Sequence, residues 1–295
     1  MSHKPFATVA LIGKTDAERI AETLVSLYTF LVGRGLRVIV EAGSAGFLAA
    51  FSPITRTLAE LSSECELAIV VGGDGTLLTA ARALSSHHIP LIGINLGRLG
   101  FLVDISPAEA SRCLDDILDG RYVTGERFML RARLLREGVL IQEQTAVNEV
   151  VIHSWNATSM IEIETRINGV FLNSQRSDGL IVSTPTGSTA YALSAGGPIL
   201  APSLQAIVLA PINPHTLTNR PIVINADSLI EVTFRPCRQF RAQMVCDNLS
   251  IPDVAVNDRI EIRRDPLPFR ILHPSGYDFF EILRAKLNWS AGYRS

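Results

Sequence analysis

The sequence predicts two structural classes in one chain, a Rossmann-like parallel α/β domain followed by an all-β domain, and three observations carry this. Short, continuous apolar runs alternate with helically spaced stretches through the first part of the chain. From near Phe128 that rhythm gives way to short segments in which polar and apolar residues alternate. The length, 295 residues, suits two domains better than one.

In the first part, Thr8-Val9-Ala10-Leu11-Ile12 is apolar throughout, as in a parallel strand covered on both faces. Ala17 to Val32 carries Ile20, Leu24, Leu27, Tyr28 and Leu31 at helical spacing, with Asp16 placed to cap it and Gly33 and Gly35 to stop it. Arg37-Val38-Ile39-Val40 is a second strand. A short helix around Leu58 leads to a third, Leu67-Ala68-Ile69-Val70-Val71. Leu77 to Leu84 is helical, Pro90-Leu91-Ile92-Gly93-Ile94 is a fourth strand, and Pro107 to Leu118 is another helix. Strand, helix, strand at this pitch means βαβ units and a parallel sheet.

In the second part, strands are expected at Met129 to Leu135, Ala146 to His153, Ile161 to Ile167, Leu180 to Ser183, Ala206 to Ala210, Leu229 to Phe234, Gln243 to Cys246 and Arg259 to Arg263. Ile161-Glu162-Ile163-Glu164 and Ile260-Glu261-Ile262-Arg263 alternate cleanly, and Asn168-Gly169 is a hairpin signal. Such a run of strands suits a packed pair of sheets, a β-sandwich. Ser188 to Ala195 can open a short helix, and after Pro274 the chain turns helical again through Phe279, Ile282, Leu283 and Leu287.

Bulk properties narrow the function classes. Hydrophobic residues make up 47%, charged residues 19%, and mean hydropathy is +0.25, which describes a folded protein with a large core. The net charge is −2 with no dominant basic face, which argues against a nucleic-acid partner. Cys65, Cys113, Cys237 and Cys246 stand far apart with no C-x-x-C pair, and read as reduced thiols. The apolar stretch from Phe6 to Ile12 is short, meets Gly13-Lys14-Thr15-Asp16 at once, and reads as a buried strand rather than a signal peptide. No apolar stretch is long enough to span a bilayer. The expectation is a soluble, cytoplasmic protein without a membrane partner.

The first chemical signal is Val70-Val71-Gly72-Gly73-Asp74-Gly75-Thr76, a strand running into a glycine-rich turn before a helix. Ligands of open α/β sheets bind beyond the carboxyl ends of the strands. The glycines would let backbone approach a phosphate and allow positive φ, and amides at the helix start could donate to its oxygens. Asp74 would then meet a ligand hydroxyl and accept its proton. The competing reading is an ordinary Asp-Gly tight turn. Two standard nucleotide loops are ruled out. A Walker A pattern ending at Gly13-Lys14-Thr15 needs glycine where Thr8 stands, and a Rossmann fingerprint from Gly73 needs glycine where Leu78 stands. A second turn, Gly97-Arg98-Leu99-Gly100-Phe101, follows Ile94-Asn95; Arg98 could meet phosphate and Phe101 could line a base pocket, or the segment is a plain loop.

Two further constellations lie in the β-rich half. Asn148-Glu149 offers an amide for an adenine edge and a carboxylate for ribose hydroxyls, though polar residues on a solvated strand face look the same. Arg176-Ser177-Asp178-Gly179-Leu180-Ile181-Val182-Ser183-Thr184-Pro185-Thr186-Gly187-Ser188-Thr189-Ala190-Tyr191 is denser in signal. Ser188 and Thr189 could cap a short helix while their amides face an anion, and Tyr191 offers a stacking face and a hydroxyl.

Taken in order, Val-Val-Gly-Gly-Asp-Gly-Thr, Ile-Asn-Leu-Gly-Arg-Leu-Gly-Phe-Leu, Asn-Glu-Val-Val and Ser-Asp-Gly-Leu-Ile-Val-Ser-Thr-Pro-Thr-Gly-Ser-Thr-Ala-Tyr make the chain resemble bacterial NAD kinases over nearly its whole length. The resemblance implies an α/β domain over 1–127 and 275–295, the C-terminal tail returning to the first domain, and an NAD-binding β-sandwich over 128–274. It implies transfer of the γ-phosphoryl group of ATP to the 2′-hydroxyl of the adenosine ribose of NAD, a divalent metal ion (Mg²⁺), and a homodimer or homotetramer. It makes Asp74 the proton acceptor, with Gly75 beside it. It puts Asn148 on the adenine, Glu149 on the ribose, and Thr189, Ala190, Tyr191, Ala192, Leu193 and Ser194 around the adenosine. Asp178 and Arg176 fall on the nicotinamide side, reached from a neighbouring subunit. Gly97, Arg98 and Phe101 are further candidates. This chain departs from the family pattern at Ser159, where many relatives carry His, and at Asp247-Asn248-Leu249, where many carry Asp-Gly-Gln or Asp-Ser-Gln. Lipid kinases acting on diacylglycerol or sphingoid bases share the Gly-Gly-Asp-Gly turn, and a non-catalytic NAD(P) sensor is a further alternative.

Overall fold

The structure is a computed structural model that describes residues 6–13, 19–97, 99–155, 160–236 and 240–289. Asp16, Arg98 and Ser159 lie outside the described residues. The chain divides into two compact units, Met1–Glu126 with Leu267–Ser295, and Arg127–Pro266.

The first unit is built on a seven-stranded sheet. Its strands are β1 (Thr8–Gly13), β2 (Arg37–Glu41), β3 (Ile54–Arg56), β4 (Leu67–Gly72), β5 (Leu91–Asn95), β6 (Tyr122–Arg127) and β19 (Phe269–Pro274), in the order β3-β2-β1-β4-β5-β19-β6. The pairs among β1 to β5 and the β5–β19 pair are parallel. The helices are α1 (Arg19–Gly33), α2 (Leu58–Glu64), α3 (Asp74–Leu84), α4 (Ala110–Leu118) and, after β19, α6 (Phe279–Leu287). Val9, Leu11, Val38, Val40, Ile69 and Val71 share one core with Ile20, Leu24, Leu27 and Leu31 of α1 and with Cys113, Leu114 and Ile117 of α4. β4 is buried at all six positions, as its unbroken apolar run requires. Within α2, Thr57 and Glu60 close a capping box.

The expected return of the chain to the first domain at 275 is too late. Residues 267–274 already belong to the first unit, because Phe269–Pro274 adds to its sheet between β5 and β6. The pattern Phe-Arg-Ile-Leu-His-Pro suits a sandwich strand equally well, so local sequence does not reveal which sheet takes it.

The second unit is a sandwich of two six-stranded antiparallel sheets. One contains β7 (Leu130–Arg136), β8 (Val139–Ala146), β10 (Ile161–Ile167), β11 (Val170–Ser177), β15 (Ile230–Phe234) and β18 (Asp258–Arg264), ordered β11-β10-β15-β18-β7-β8. The other contains β9 (Glu149–Ser154), β12 (Gly179–Ser183), β13 (Ala206–Ile212), β14 (Ile222–Asn225), β16 (Ala242–Cys246) and β17 (Leu249–Val254), ordered β14-β13-β12-β9-β16-β17. Ile161, Ile163, Val232, Ile260 and Ile262 of the first sheet pack on Val150, Ile152, Leu180, Val182 and Met244 of the second. The Asn168-Gly169 hairpin joins β10 to β11 with both residues at positive φ, 51° and 77°, as a two-residue primed turn needs.

The second sheet is also covered on its outer face. Val151, Ile181, Val208 and Ala210 meet Ala192 and Leu200, carried by the short helix α5 (Tyr191–Ser194) and the chain that follows it. β12 is therefore buried along its whole length. No described helix is long and apolar enough to cross a membrane.

Candidate active site

In the first unit, β4 delivers Gly73 in extended geometry as the N-cap of α3, and Asp74 is the first helical residue. Neither Gly73 nor Gly75 has positive φ, contrary to the expectation for this turn, and a Cβ on either would meet nothing within 4 Å. The amides of Thr76 and Leu77 bond back to the Gly73 carbonyl.

The Asp74 carboxylate is held by three backbone amides of the next loop. Oδ2 accepts from Phe101 at 3.0 Å, while Oδ1 accepts from Leu102 at 3.0 Å and from Val103 at 3.2 Å. A carboxylate offers about four lone-pair sites, so among the described residues one of them, on Oδ2, is uncommitted. The cradle is anchored to the sheet. Asn95 donates to the Ile105 carbonyl at 2.9 Å, and Val103 is fully buried against Gly93. Asn95 itself is buried beside Gly72, a polar residue at a strand end that the sequence does not single out. Gly97 is exposed, and the Phe101 ring carries the Lys286 ammonium 5.4 Å above its centre rather than an open face for a base.

In the second unit, period-two alternation puts Glu149, Val151 and His153 of β9 on the outer face of their sheet. There they line a cavity of about 450 Å³ with Asp178, Tyr191, Ile212, Asn213, Val245 and Asp247. Three carboxyl groups face it, and none of its described lining residues is Lys or Arg. Burial pushes the Glu149 carboxyl up to about 8, and the nearby Asp247 carboxylate adds to the rise. Glu149 Oε2 has no hydrogen-bond partner among the described residues. At neutral pH Glu149 is therefore a carboxylic acid that can donate.

Asp247, named in the sequence only within a segment that departs from the family pattern, has a structural role that was not assigned to it. It sits at φ 53° in the turn between β16 and β17, and its carboxylate accepts from Val147 at 2.9 Å, Asn148 at 2.8 Å and Glu149 at 3.3 Å. Its own amide donates to the Glu149 carbonyl at 3.0 Å. The Asn148-Glu149 backbone is thus fixed by a second aspartate cradle. Asn213, whose Nδ2 donates to Asp178 Oδ2 at 2.8 Å, and His153 were also missed. The Ser154 carbonyl can only accept, so His153 Nδ1 carries the proton and Nε2 accepts from Gln243.

The hydroxyl-rich motif behaves differently from its sequence reading. Thr184 Oγ1 donates to the Val147 carbonyl at 2.7 Å and accepts from the Gly187 amide at 3.1 Å. Ser183 Oγ donates to the Asn148 carbonyl, and a Cβ on Gly187 would overlap that same oxygen. Ser188 is fully buried; its Oγ donates to Pro185 and accepts from Leu200, and its amide donates to Thr184. Ser188 and Thr189 therefore neither cap α5 nor present Ser188's amide to an anion. Ala190 is the cap residue, without a side-chain bond. The Ser183 and Thr184 hydroxyls thus hold the Val147 and Asn148 carbonyls that lead into β9.

Of the predicted residues in this unit, the cavity brings together Glu149, Asp178 and Tyr191. Asn148 is half-buried next to it without lining it. Thr189, Ala190 and Leu193 are partly buried, Ser194 is exposed, and Ala192 is in the core. Arg176 is exposed on the edge strand β11 and does not line the cavity.

Comparison with known proteins finds two family domains in this order, the second running on through most of β19. The ATP-NAD kinase N-terminal domain matches residues 9–122 and the ATP-NAD kinase C-terminal domain residues 147–273. The chain is 64% identical to a NAD kinase of Methylococcus capsulatus, covering 97% of this chain and 98% of that protein. It is 48% identical to a NAD kinase of Nitrosococcus oceani, again covering 97% and 98%. Among solved structures, the NAD kinase of Archaeoglobus fulgidus in complex with ATP is similar at 28% identity and TM-score 0.70, over 95% of this chain and 97% of that one. Yeast NADH kinase shares the fold, with TM-score 0.90 over 99% and 90% of the two chains at 24% identity. With both family domains matched in order and relatives this similar over nearly the full length, the chain belongs to the ATP-NAD kinase family.

Proposed function

We propose that the chain transfers the γ-phosphoryl group of ATP to the 2′-hydroxyl of the adenosine ribose of NAD, giving NADP. Relatives named NAD kinase at 64% and 48% identity support NAD as acceptor over a lipid, and the Archaeoglobus enzyme held with ATP supports the donor. The observation that carries the chemistry is the Asp74 carboxylate, immobilised by three amides with one Oδ2 lone pair uncommitted.

In this reading the 2′-hydroxyl donates to that lone pair. Its oxygen forms a bond to the γ-phosphorus, the bond from that phosphorus to the bridging oxygen breaks, ADP leaves, and the hydroxyl proton passes to Asp74. A carboxylate already held in place loses no motion on engaging the hydroxyl, so its orientation comes at no cost during the reaction. Glu149, protonated at neutral pH, donates to a ribose oxygen, Asn148 serves the adenine, Tyr191 stacks within the cavity, and Asp178 takes the nicotinamide side. Arg176, exposed on an edge strand, fits a role toward a neighbouring subunit's dinucleotide.

No group of three or more His, Cys, Asp or Glu side chains among the described residues is arranged to hold a metal ion. A divalent ion, Mg²⁺, would in this reading take its ligands mainly from the donor phosphates and water, and would neutralise phosphate charge.

The apolar triplets Val139-Leu140-Ile141 on edge strand β8 and Val170-Phe171-Leu172 on edge strand β11 are exposed, which supports a homodimer or homotetramer. Among the described residues Cys65, Cys113 and Cys246 form no disulfide, in keeping with a cytoplasmic enzyme.

The test is a coupled assay. Protein, NAD, ATP and Mg²⁺ are mixed, and NADP is read with an NADP-specific dehydrogenase. Well-folded protein that forms no NADP would sink the proposal. Sedimentation at assay concentration tests the oligomer, and a fully active monomer would refute it.

A further inference from the structure

We infer that His273 and Asp104 form a positioning pair that keeps the Asp74 carboxylate aligned for phosphoryl transfer; this rests on Asp74 being the group that accepts the hydroxyl proton. The three amides that hold Asp74 belong to Phe101, Leu102 and Val103. The next residue, Asp104, is bonded through Oδ2 to His273 Nδ1 at 2.8 Å. Both side chains are buried, 8% and 1% exposed. His273 is on β19, and its ring stacks on Tyr277 with centroids 3.7 Å apart and planes 16° from parallel. At the other end of the four-residue segment, Lys286 of α6 lies over the Phe101 ring. The C-terminal return thus grips both ends of the Asp74 cradle.

The pair is a poor choice for stability alone. Asp104 Oδ1 and His273 Nε2 are buried without a hydrogen-bond partner among the described residues. Two apolar side chains would fill the space without leaving polar atoms unmet. A directional N–H···O bond supplies what apolar contact lacks, a fixed distance between the loop and β19. Asp104 is one residue from the Val103 amide, so a shift of Asp104 moves two donors on Asp74 Oδ1 and turns the uncommitted Oδ2 lone pair. Misplacement on the ångström scale at a reacting group costs rate without necessarily costing substrate affinity.

Two substitutions in the full-length enzyme separate positioning from packing. His273→Phe keeps a ring against Tyr277 and loses the donor; His273→Asn keeps an N–H near the Nδ1 position and loses the ring. We expect His273→Phe to lower kcat about tenfold with KM for NAD and ATP within about twofold. We expect His273→Asn to stay within about threefold of wild-type kcat, although it loses more thermal stability. Because the pair acts through Asp74, adding His273→Phe to Asp74→Asn should not lower the residual kcat further. Wild-type kcat in His273→Phe, equal impairment of both His273 variants, a change confined to KM, or multiplying effects in the double variant would each overturn the inference. Should His273→Phe fail to fold, Asp104→Leu replaces it in the same comparisons with the same expected kcat loss. Asp74→Asn alone keeps the two readings apart. Wild-type turnover there defeats the assignment of Asp74, whereas a large loss there with no effect of His273→Phe defeats only the positioning pair.

Discussion

Gly100 and the Asp74 carboxylate share one space: a Cβ at position 100 would overlap Asp74 Oδ1 and crowd Val103 Cγ2. The glycine is needed for this close approach, because the loop amides reach Asp74 only if residue 100 has no side chain. Gly100→Ala should destabilise the protein by about 1–3 kcal/mol in urea unfolding. It should also lower kcat by about tenfold or more, because the Asp74 cradle must open to accept the methyl group. An alanine variant with unchanged kcat would show that the cradle does not govern turnover.

Glu149 makes stability depend on pH. Its carboxyl is pushed up to about 8 in the folded protein, whereas in the unfolded chain it titrates near the ordinary value of about 4.3. Below that lower value both states hold the proton. Between it and about pH 8 the folded state keeps a proton that the unfolded chain has released, so the contribution is lost as pH rises, and it levels off above 8. Glu149→Gln removes this dependence. Its stability relative to wild type should rise by about 4 kcal/mol between pH 5 and pH 9, read from urea unfolding at several pH values. A constant difference across that range would refute the protonated Glu149.

Asp247→Asn should act on the same group. The substitution removes the charge that adds to the Glu149 rise and replaces one acceptor oxygen by an amino group facing the Val147 to Glu149 amides. The upper end of the pH dependence should move below that of wild type, and overall stability should fall by about 1–3 kcal/mol from unmet amides. Titration of the unfolding midpoint in both proteins decides it.

Thr184→Val tests whether the hydroxyl motif braces or binds. Valine has the same shape but leaves the Val147 carbonyl and the Gly187 amide without this partner. Each buried loss costs about 1–3 kcal/mol, so a clear drop in stability is expected together with a raised KM for NAD. A raised KM at unchanged stability would mean that the hydroxyl touches the ligand instead.

What the sequence made legible follows burial closely. The strands buried on one or both faces, such as β1, β4, β10, β12 and β18, announce themselves by unbroken or alternating apolar residues. The edge strands do not. β8, β11, β14 and β17 close the two sandwich sheets, and β3 and β6 close the parallel one. None was assigned as a strand, because a segment with one neighbour and little buried surface has no pattern to keep. β19 is the interior exception, a buried strand between β5 and β6 that was also not among the expected strands.

The site divides on similar lines. Asp74, Glu149, Asp178 and Tyr191 were marked by residue type in an unusual local string. Asn95, Asn213 and His273 were not, and Asp247 stood only in a segment set aside; Asp247, Asn213 and His273 each matter through a partner far away in sequence. Thr184 and Ser188 were marked for the wrong reason. Hydroxyls around a glycine look the same whether they face a ligand or a neighbouring strand, and only their hydrogen bonds tell which.

The order of strands in the parallel sheet has a consequence during synthesis. β6 ends at Arg127, but its neighbour in the sheet is β19, which also separates it from β5. A nascent chain that has emerged only through the sandwich therefore carries an α/β sheet in which the outer side of β5 is met only by the bridge from Ile105, and β6 has no neighbour. The sandwich, by contrast, has all its strands once Arg264 is out. The ribosome thus delivers a complete second unit while the first still lacks the strand that joins β5 to β6, and the open backbone of β6 is exposed to wrong pairing until β19 emerges.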